Sequence, residues 1–231
     1  QLATKAVSND ELQYSLTALM QGADRAAYLL DQLLDLARIE NLAEDAAVRF
    51  EAVTLSEVYQ GLANELQPRA ARKQITLVAR FAAPSVQGHS FALALLLRNL
   101  LSNAIHYTPA GGRVEVGSQV QGEAVLLRVD DSGPGIAEHE RERAFERFNR
   151  LGQTKVEGVG LGLSIVLSVA ELHGARIQLL DSPLGGLHVQ VTFSVAPDGK
   201  LASSTTPLRP GAPPSTRGVQ SGPTPDPLSR D

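Results

Sequence analysis

Leu96 to Pro109 reads LLRNLLSNAIHYTP, and no other stretch constrains the fold of this chain as tightly. Leu96, Leu97, Leu100, Leu101, Ala104 and Ile105 predict a helix that is buried in a core. Asn99 and Asn103 interrupt that helix four residues apart, one above the other on a single face. Asparagine is a mediocre helix former whose amide wants both donors and acceptors. His106 and Tyr107 continue the polar stripe one turn later. A stripe of this kind must hold something, and the rest of the sequence has to say what.

The region before it has two textures. From Glu11 to Ile39 the spacing predicts one long helix. Leu12, Leu16, Leu19, Ala23, Ala26, Leu30, Leu33 and Ala37 form an a/d seam, widened by Leu29, Leu34 and Leu36 as in a helical bundle. VSND before it suits a turn with helix-capping residues, and NLAED after it suits a linker. From Phe50 the pattern becomes mixed. FEAVTL, ITLVARF, RVEVGSQV, AVLLRVDDSG, ARIQLLDS and LHVQVTFSV suit strands, while Ser56–Arg72, the Leu96 stretch and Leu161–Leu172 suit helices. The irregular alternation predicts an α+β fold, a two-layer sandwich with helices on one face of a mixed sheet, and not a doubly wound sheet. The expected divisions are 1–44 for the bundle helix, 45–196 for the sandwich and 197–231 for a tail. That tail holds eight of the thirteen prolines and few apolar residues, so it is expected to be disordered.

Composition removes several functions. A net charge of −4 argues against a general nucleic-acid surface. With no cysteine there is no disulfide framework, thiolate nucleophile or Cys-based zinc site. No apolar run approaches the ~18 residues of a membrane span, and no signal peptide opens the chain. It begins at Gln, and is expected to be a piece of something longer.

Three further stretches can carry chemistry. DDSGPGI, Asp130–Ile136, ends an apolar strand in an acidic loop. Asp131 beside Gly133 and Gly135 suits a carboxylate accepting a hydrogen bond from a ligand amine such as that of adenine. In GVGLGLSIV, Gly158, Gly160 and Gly162 open a helix, where free N–H groups and the helix dipole favour phosphate. Leu163 rules out the dinucleotide pattern, and the Lys of a Walker loop is absent. Between them AFERFNR offers Phe145 and Phe148 as anchors of a polar lid, from which Arg147, Arg150 and Lys155 are placed to reach phosphate oxygens. Taken singly, each loop is equally a tight turn, a hinge or solvated charge.

In this order and spacing, the pieces resemble the nucleotide-binding domain of sensor histidine kinases. NLLSNAIHYTP looks like the N box, DDSGPGI the G1 box, FERF the F box and GVGLGL the G2 box. The resemblance covers about Phe50 to Val195, and LLDQLLDLARIE looks like the end of the preceding dimerisation helix. It implies a Bergerat-type sandwich that binds ATP and Mg²⁺. Asn103 would ligate the cation, while Asn99, His106 and Tyr107 line the site and Asp131, with Gly133, Gly135 and Ile136, takes the base. Phe145, Arg147, Phe148, Arg150, Lys155, Gly158, Gly160, Leu161, Gly162 and Leu163 would form the lid and phosphate cradle. It further implies a homodimer through the helical hairpin and a response-regulator receiver domain as partner, with no nucleic acid and no direct membrane contact. The expected location is cytoplasmic, within a protein anchored in a bacterial inner membrane.

One substitution and two departures matter. Related ATPases of this superfamily carry Glu where Asn99 stands, and an amide cannot take a proton from water, so ATP would be kept for transfer instead of hydrolysis. Many family members carry Lys or Arg where His106 stands. The family's phosphoacceptor lies in an H box, His then Glu or Asp, Arg and Pro, and none of His89, His106, His139, His173 and His188 stands in one. His139 precedes Glu140 in HERERAF but lies between the G1 and F boxes; His173 reads as a helix end. The acceptor is therefore expected on a first dimerisation helix before Gln1. The alternatives are a nucleotide-binding regulatory module without kinase output and another ATPase of the same superfamily, the latter disfavoured by Asn99.

Overall fold

The computed structural model describes residues 9–83, 85–149 and 160–194. Helix α1, Asn9–Glu44, is followed by strand β1, Glu51–Val53, helix α2, Leu55–Arg72, and strands β2, Thr76–Phe81, and β3, Val86–Gly88. Then come α3, Ser90–Tyr107, β4, Arg113–Gln121, and β5, Ala124–Asp131. Two single 3-10 turns, Glu138–Glu140 and Arg143–Phe145, precede α4, Gly162–Leu172, β6, Arg176–Asp181, and β7, Leu187–Ser194.

Five strands form one mixed sheet in the order β2-β4-β5-β7-β6. Only the β2–β4 pair is parallel, because the chain crosses over through α3 between them; the rest are antiparallel. Helices α2, α3 and α4 pack together and against the strands. Along β5, Val125, Leu127 and Val129 meet the buried side chains of α3, among them Leu93, Leu96, Leu97 and Leu101. The expected α+β sandwich is what forms. The strand expected at FEAVTL does not join this sheet. It pairs antiparallel with β3 in a two-stranded sheet of its own, and β3 was too short to show in the sequence pattern.

The helix α1 runs on through Asn41–Glu44, so the stretch read as a linker is helical until Asp45. Its two sides differ. Gln32, Asp35, Leu36 and Ile39 are buried, with Leu36 and Ile39 in the core that contains α3 and α4. Leu12, Leu16, Leu19, Leu30 and Leu33 of the seam lie exposed. Asp35 meets Arg98 of α3 at 2.6 Å, and Arg38 stands 5.9 Å over the ring of Phe91. Val7 and Ser8 of the VSND turn and the whole expected tail lie outside the described residues, while Asn9 and Asp10 already belong to α1. Among the described residues no helix is long and apolar enough to cross a membrane.

Candidate functional site

The site forms where the C-terminal half of α3, the loop after β5 and the start of α4 meet. Asn99 is buried, and its amide N–H donates to the Leu95 carbonyl one turn back, at 2.9 Å. Asn103 lies next along that face, at the N-terminus of α4. A Cβ on Gly162 would come within 3.0 Å of its Nδ2 and 3.1 Å of its Oδ1. The glycine leaves the amide and the helix start close together, where a Cβ would make the Asn103 side chain give by a few tenths of an ångström. His106 and Tyr107 follow, their rings edge to face at 5.0 Å.

Lys73 closes that end of α3. Its Nζ donates to the Ile105 and His106 carbonyls at 2.9 and 2.6 Å, satisfying two of the groups a helix C-terminus leaves open. Burial lowers its pKa. Nothing in the RKQI stretch signals that role, because the partners lie more than thirty residues away.

Asp131 stands at the end of β5 with its Oδ1 taking two backbone donors, Gly133 N–H at 2.8 Å and Leu187 N–H at 3.1 Å. Burial raises its pKa, the two N–H groups oppose that, and neighbouring Asp130 adds to it. A Cβ on Gly133 would lie 3.1 Å from the Tyr107 carbonyl, so the G1-like loop abuts the end of α3. Gly135 has φ +68 with Gly186 against it, and Ile136 packs on the core. Gly186 and Leu187 are components the sequence reading missed. Their signal was the Gly185-Gly186 doublet between two strands, which marks a turn but not its contact with Asp131.

On the far side, Phe145 packs onto the core as an anchor should. Phe148 does not: it is 59% exposed and adopts a left-handed φ of +62. Its backbone N–H bonds the Gly160 carbonyl at 2.9 Å, and Gly160, at φ +76, presses on Phe148 and Asn149 where no Cβ would fit. The clamp between the F-like and G2-like stretches is therefore made by backbone. Arg147 turns to helix α1, where it pairs with Glu40. Leu161 is buried beneath the start of α4, its carbonyl accepting from Ser164 Oγ, and Leu163 packs on the core. Arg150, Lys155 and Gly158 lie outside the described residues.

The histidine expected to be an ordinary helix end is more than that. His173 is buried, its Nδ1 is 2.7 Å from the Val169 carbonyl, and its Nε2 accepts the His89 backbone N–H. Phe50 and Phe193 meet its ring edge-on.

Residues 88–197 match the family model described as histidine kinase-, DNA gyrase B- and HSP90-like ATPase. The chain is 37% identical over 179 residues to the sensor protein kinase PmrB of Pseudomonas aeruginosa, an alignment covering 76% of this chain. It spans 37% of PmrB's length. The structure of the mycobacterial sensor histidine kinase MprB superposes with a TM-score of 0.55 at 31% identity, covering 63% of this chain and 97% of that one. Full-length ShkA in complex with AMPPNP superposes with a TM-score of 0.63 at 26% identity, covering 83% and 41%.

Proposed function

Because the chain belongs to the histidine kinase-, DNA gyrase B- and HSP90-like ATPase family and carries the ATP-binding catalytic domain of a sensor histidine kinase, we propose that it holds MgATP between α3, α4 and the Asp131 loop for transfer of the γ-phosphoryl to a histidine and then to a response-regulator aspartate. The observation that carries this reading is the convergence of Asn103 on Gly162 and of Gly133 on Tyr107. It brings an amide, a helix N-terminus and a carboxylate-bearing loop to one side of the domain. The likeness to ShkA, whose structure holds AMPPNP, supports it.

Each residue has a task that follows from its surroundings. With Asp131 Oδ1 occupied by two N–H groups, Oδ2 is left to accept the amine of adenine. A guanine carbonyl at that edge would face a carboxylate and leave it unpaired. The start of α4 offers N–H groups and a positive dipole end to phosphate. Among the described residues no three His, Asp or Glu side chains converge as metal ligands. A cation here would rely on the Asn103 amide oxygen, a hard ligand suited to Mg²⁺, and on the phosphates. Bound there, Mg²⁺ would neutralise charge on the phosphates. Asn99 has no basic function, and its amide is held by its own helix, so water is not activated at that position. Catalysis of this transfer is chiefly positioning and electrostatics, which suits a site of amides and helix ends.

The exposed leucines of α1 are the expected surface for a second copy of the chain, since apolar seams of this length are buried in a bundle. The partner receiving the phosphoryl group would be a receiver domain.

The test is competition binding of ATP and GTP to wild type and to Asp131→Asn. ATP should win on wild type, by the roughly 1–3 kcal/mol an unpaired buried polar group costs, and the variant should lose the preference. Equal affinities on wild type would remove Asp131 from the base site.

A further inference from the structure

Two consecutive aspartates grip one hairpin from opposite faces of the sheet. Asp131 faces the helices and takes the Leu187 N–H. Asp130 faces the other way, as alternation along β5 requires, yet it too is almost fully buried. Its Oδ1 accepts from Ser182 Oγ at 3.0 Å and lies 2.8 Å from His188 Nδ1. Ser182 Oγ accepts the Leu184 N–H at 3.1 Å, and the Ser182 N–H donates to the Gly186 carbonyl at 2.9 Å. The Asp130 cluster thus holds the start of the turn, through Ser182, and the strand leaving it, through His188. That turn delivers the Leu187 N–H to Asp131 and seats Gly186 against it, with no room for a Cβ.

We propose that Asp130, Ser182 and His188 form a positioning unit for the Asp131 carboxylate, and that the proton on His188 makes the preference for adenine over guanine nucleotides pH-dependent. This rests on the reading of Asp131 as the base-recognising group. None of the three touches the nucleotide; they act through the hairpin.

The charge surroundings favour a titrating His188. Facing it are Asp130 and Arg128 on β5, Gln190 on its own strand β7 and Leu180 across on β6. Beyond Asp130, Glu115 of β4 stands in register and is engaged by Arg113, while Asp181 of β6 is engaged by Arg141. The hydrogen bond to Asp130 raises the imidazole's pKa against its burial and against Arg128. Burial would raise the Asp130 carboxyl, but the His188 and Ser182 bonds outweigh it and hold it low. A charged donor makes a hydrogen bond about twice as strong as a neutral one. As pH rises through the folded pKa of His188, above its usual value, that bond weakens and the hairpin's hold on Asp131 relaxes.

The experiment measures ATP and GTP affinity on the whole polypeptide from about pH 5 to about pH 9, covering the ordinary histidine range and the pH above it. Taking the ratio of the two cancels the titration of the phosphates they share. The wild-type ratio should fall by roughly two- to tenfold across that range, the span of one hydrogen bond's net contribution. His188→Gln, which keeps a donor and loses the proton, should give a flat profile. Asp130→Asn should flatten it as well, so the result does not depend on one variant folding. Ser182→Ala should lower the ratio throughout and keep the slope. Parallel slopes in wild type and both flat-profile variants would overturn the positioning unit, and loss of preference in Asp131→Asn would then leave the base reading standing. A preference unchanged in Asp131→Asn would overturn both.

Discussion

The Nε2 of His173 accepts the backbone N–H of His89 at 3.0 Å, joining the end of α4 to the start of α3. A ring nitrogen can accept only when it carries no proton, so Nδ1 holds the hydrogen and donates it to the Val169 carbonyl. Burial depresses the pKa of this imidazole below 6.5, with nearby His89 adding to the effect and the Val169 bond opposing it. A group whose folded pKa lies below its unfolded value contributes stability that is present above the unfolded value and lost as pH falls through the folded one. The melting temperature should therefore drop as pH falls below about 6.5. His173→Gln, which keeps an acceptor and cannot be charged, should flatten that slope. A His173→Gln profile as steep as wild type would place the acid sensitivity elsewhere.

A second expectation compares two glycines. A Cβ on Gly186 would lie 2.3 Å from Asp131 Oδ1 and 2.5 Å from both Asp131 O and Gly133 N. Backbone atoms cannot rotate away, so Gly186→Ala must push the hairpin off the aspartate. Overpacking of this kind costs about 1–3 kcal/mol, and here nucleotide binding should fall with it. Gly122 has φ +60 but open space around its Cβ position. Gly122→Ala should cost only about 1 kcal/mol, the strain of a left-handed residue, and leave binding unchanged. Paired melting curves and nucleotide titrations check both. Intact binding in Gly186→Ala would show that the hairpin is not part of the base site.

The contrast between those glycines marks where the sequence stops being legible. Helix α3, the main-sheet strands and the loops at Asp131 and Gly162 announce themselves through local patterns: apolar spacing, alternation, glycines at a helix start. Lys73, Ser182, Gly186 and Leu187 do not, because their partners are distant in the chain and only folding brings them together. The same holds for Arg147. Its charge is plain in the sequence, but its pairing with Glu40 depends on how α1 lies against the domain. Strand β3 escaped because three residues carry too little pattern to register. In His173 local spacing told only part: a histidine before a glycine suits a helix end and does cap α4, but only the packing of Phe50 and Phe193 shows it to be a core residue as well.

The third expectation concerns the cation. Asn103 lies against Gly162 with its amide at the start of α4. If its oxygen ligates Mg²⁺, Asn103→Ala should weaken ATP binding in the presence of Mg²⁺ and have little effect in the presence of a chelator. Affinities measured under both conditions separate metal ligation from a general loss of the site. Equal losses in both would assign the cation to other atoms.

The last expectation follows from where the five histidines stand. His89 and His173 meet in the core, His106 closes α3, His139 sits on an isolated 3-10 turn and His188 is bound to Asp130. None stands in an H-box sequence. Incubated with radiolabelled ATP, this polypeptide should therefore carry no acid-labile phosphohistidine. Its hydrolysis of ATP should also be slight, because Asn99 offers no base. The domain should still be competent, since its core includes the whole α3–α4 layer over the sheet. Adding a separate helical hairpin that bears an H-box histidine, from a related sensor kinase, should then yield label on the hairpin. That transfer should be slow, because a tether normally supplies an effective concentration near millimolar and here none is present. Label on a histidine of this chain alone would refute the argument. If a folded hairpin stays unlabelled at high concentration while ATP binds normally, the chain acts as a nucleotide-binding module and not as a kinase.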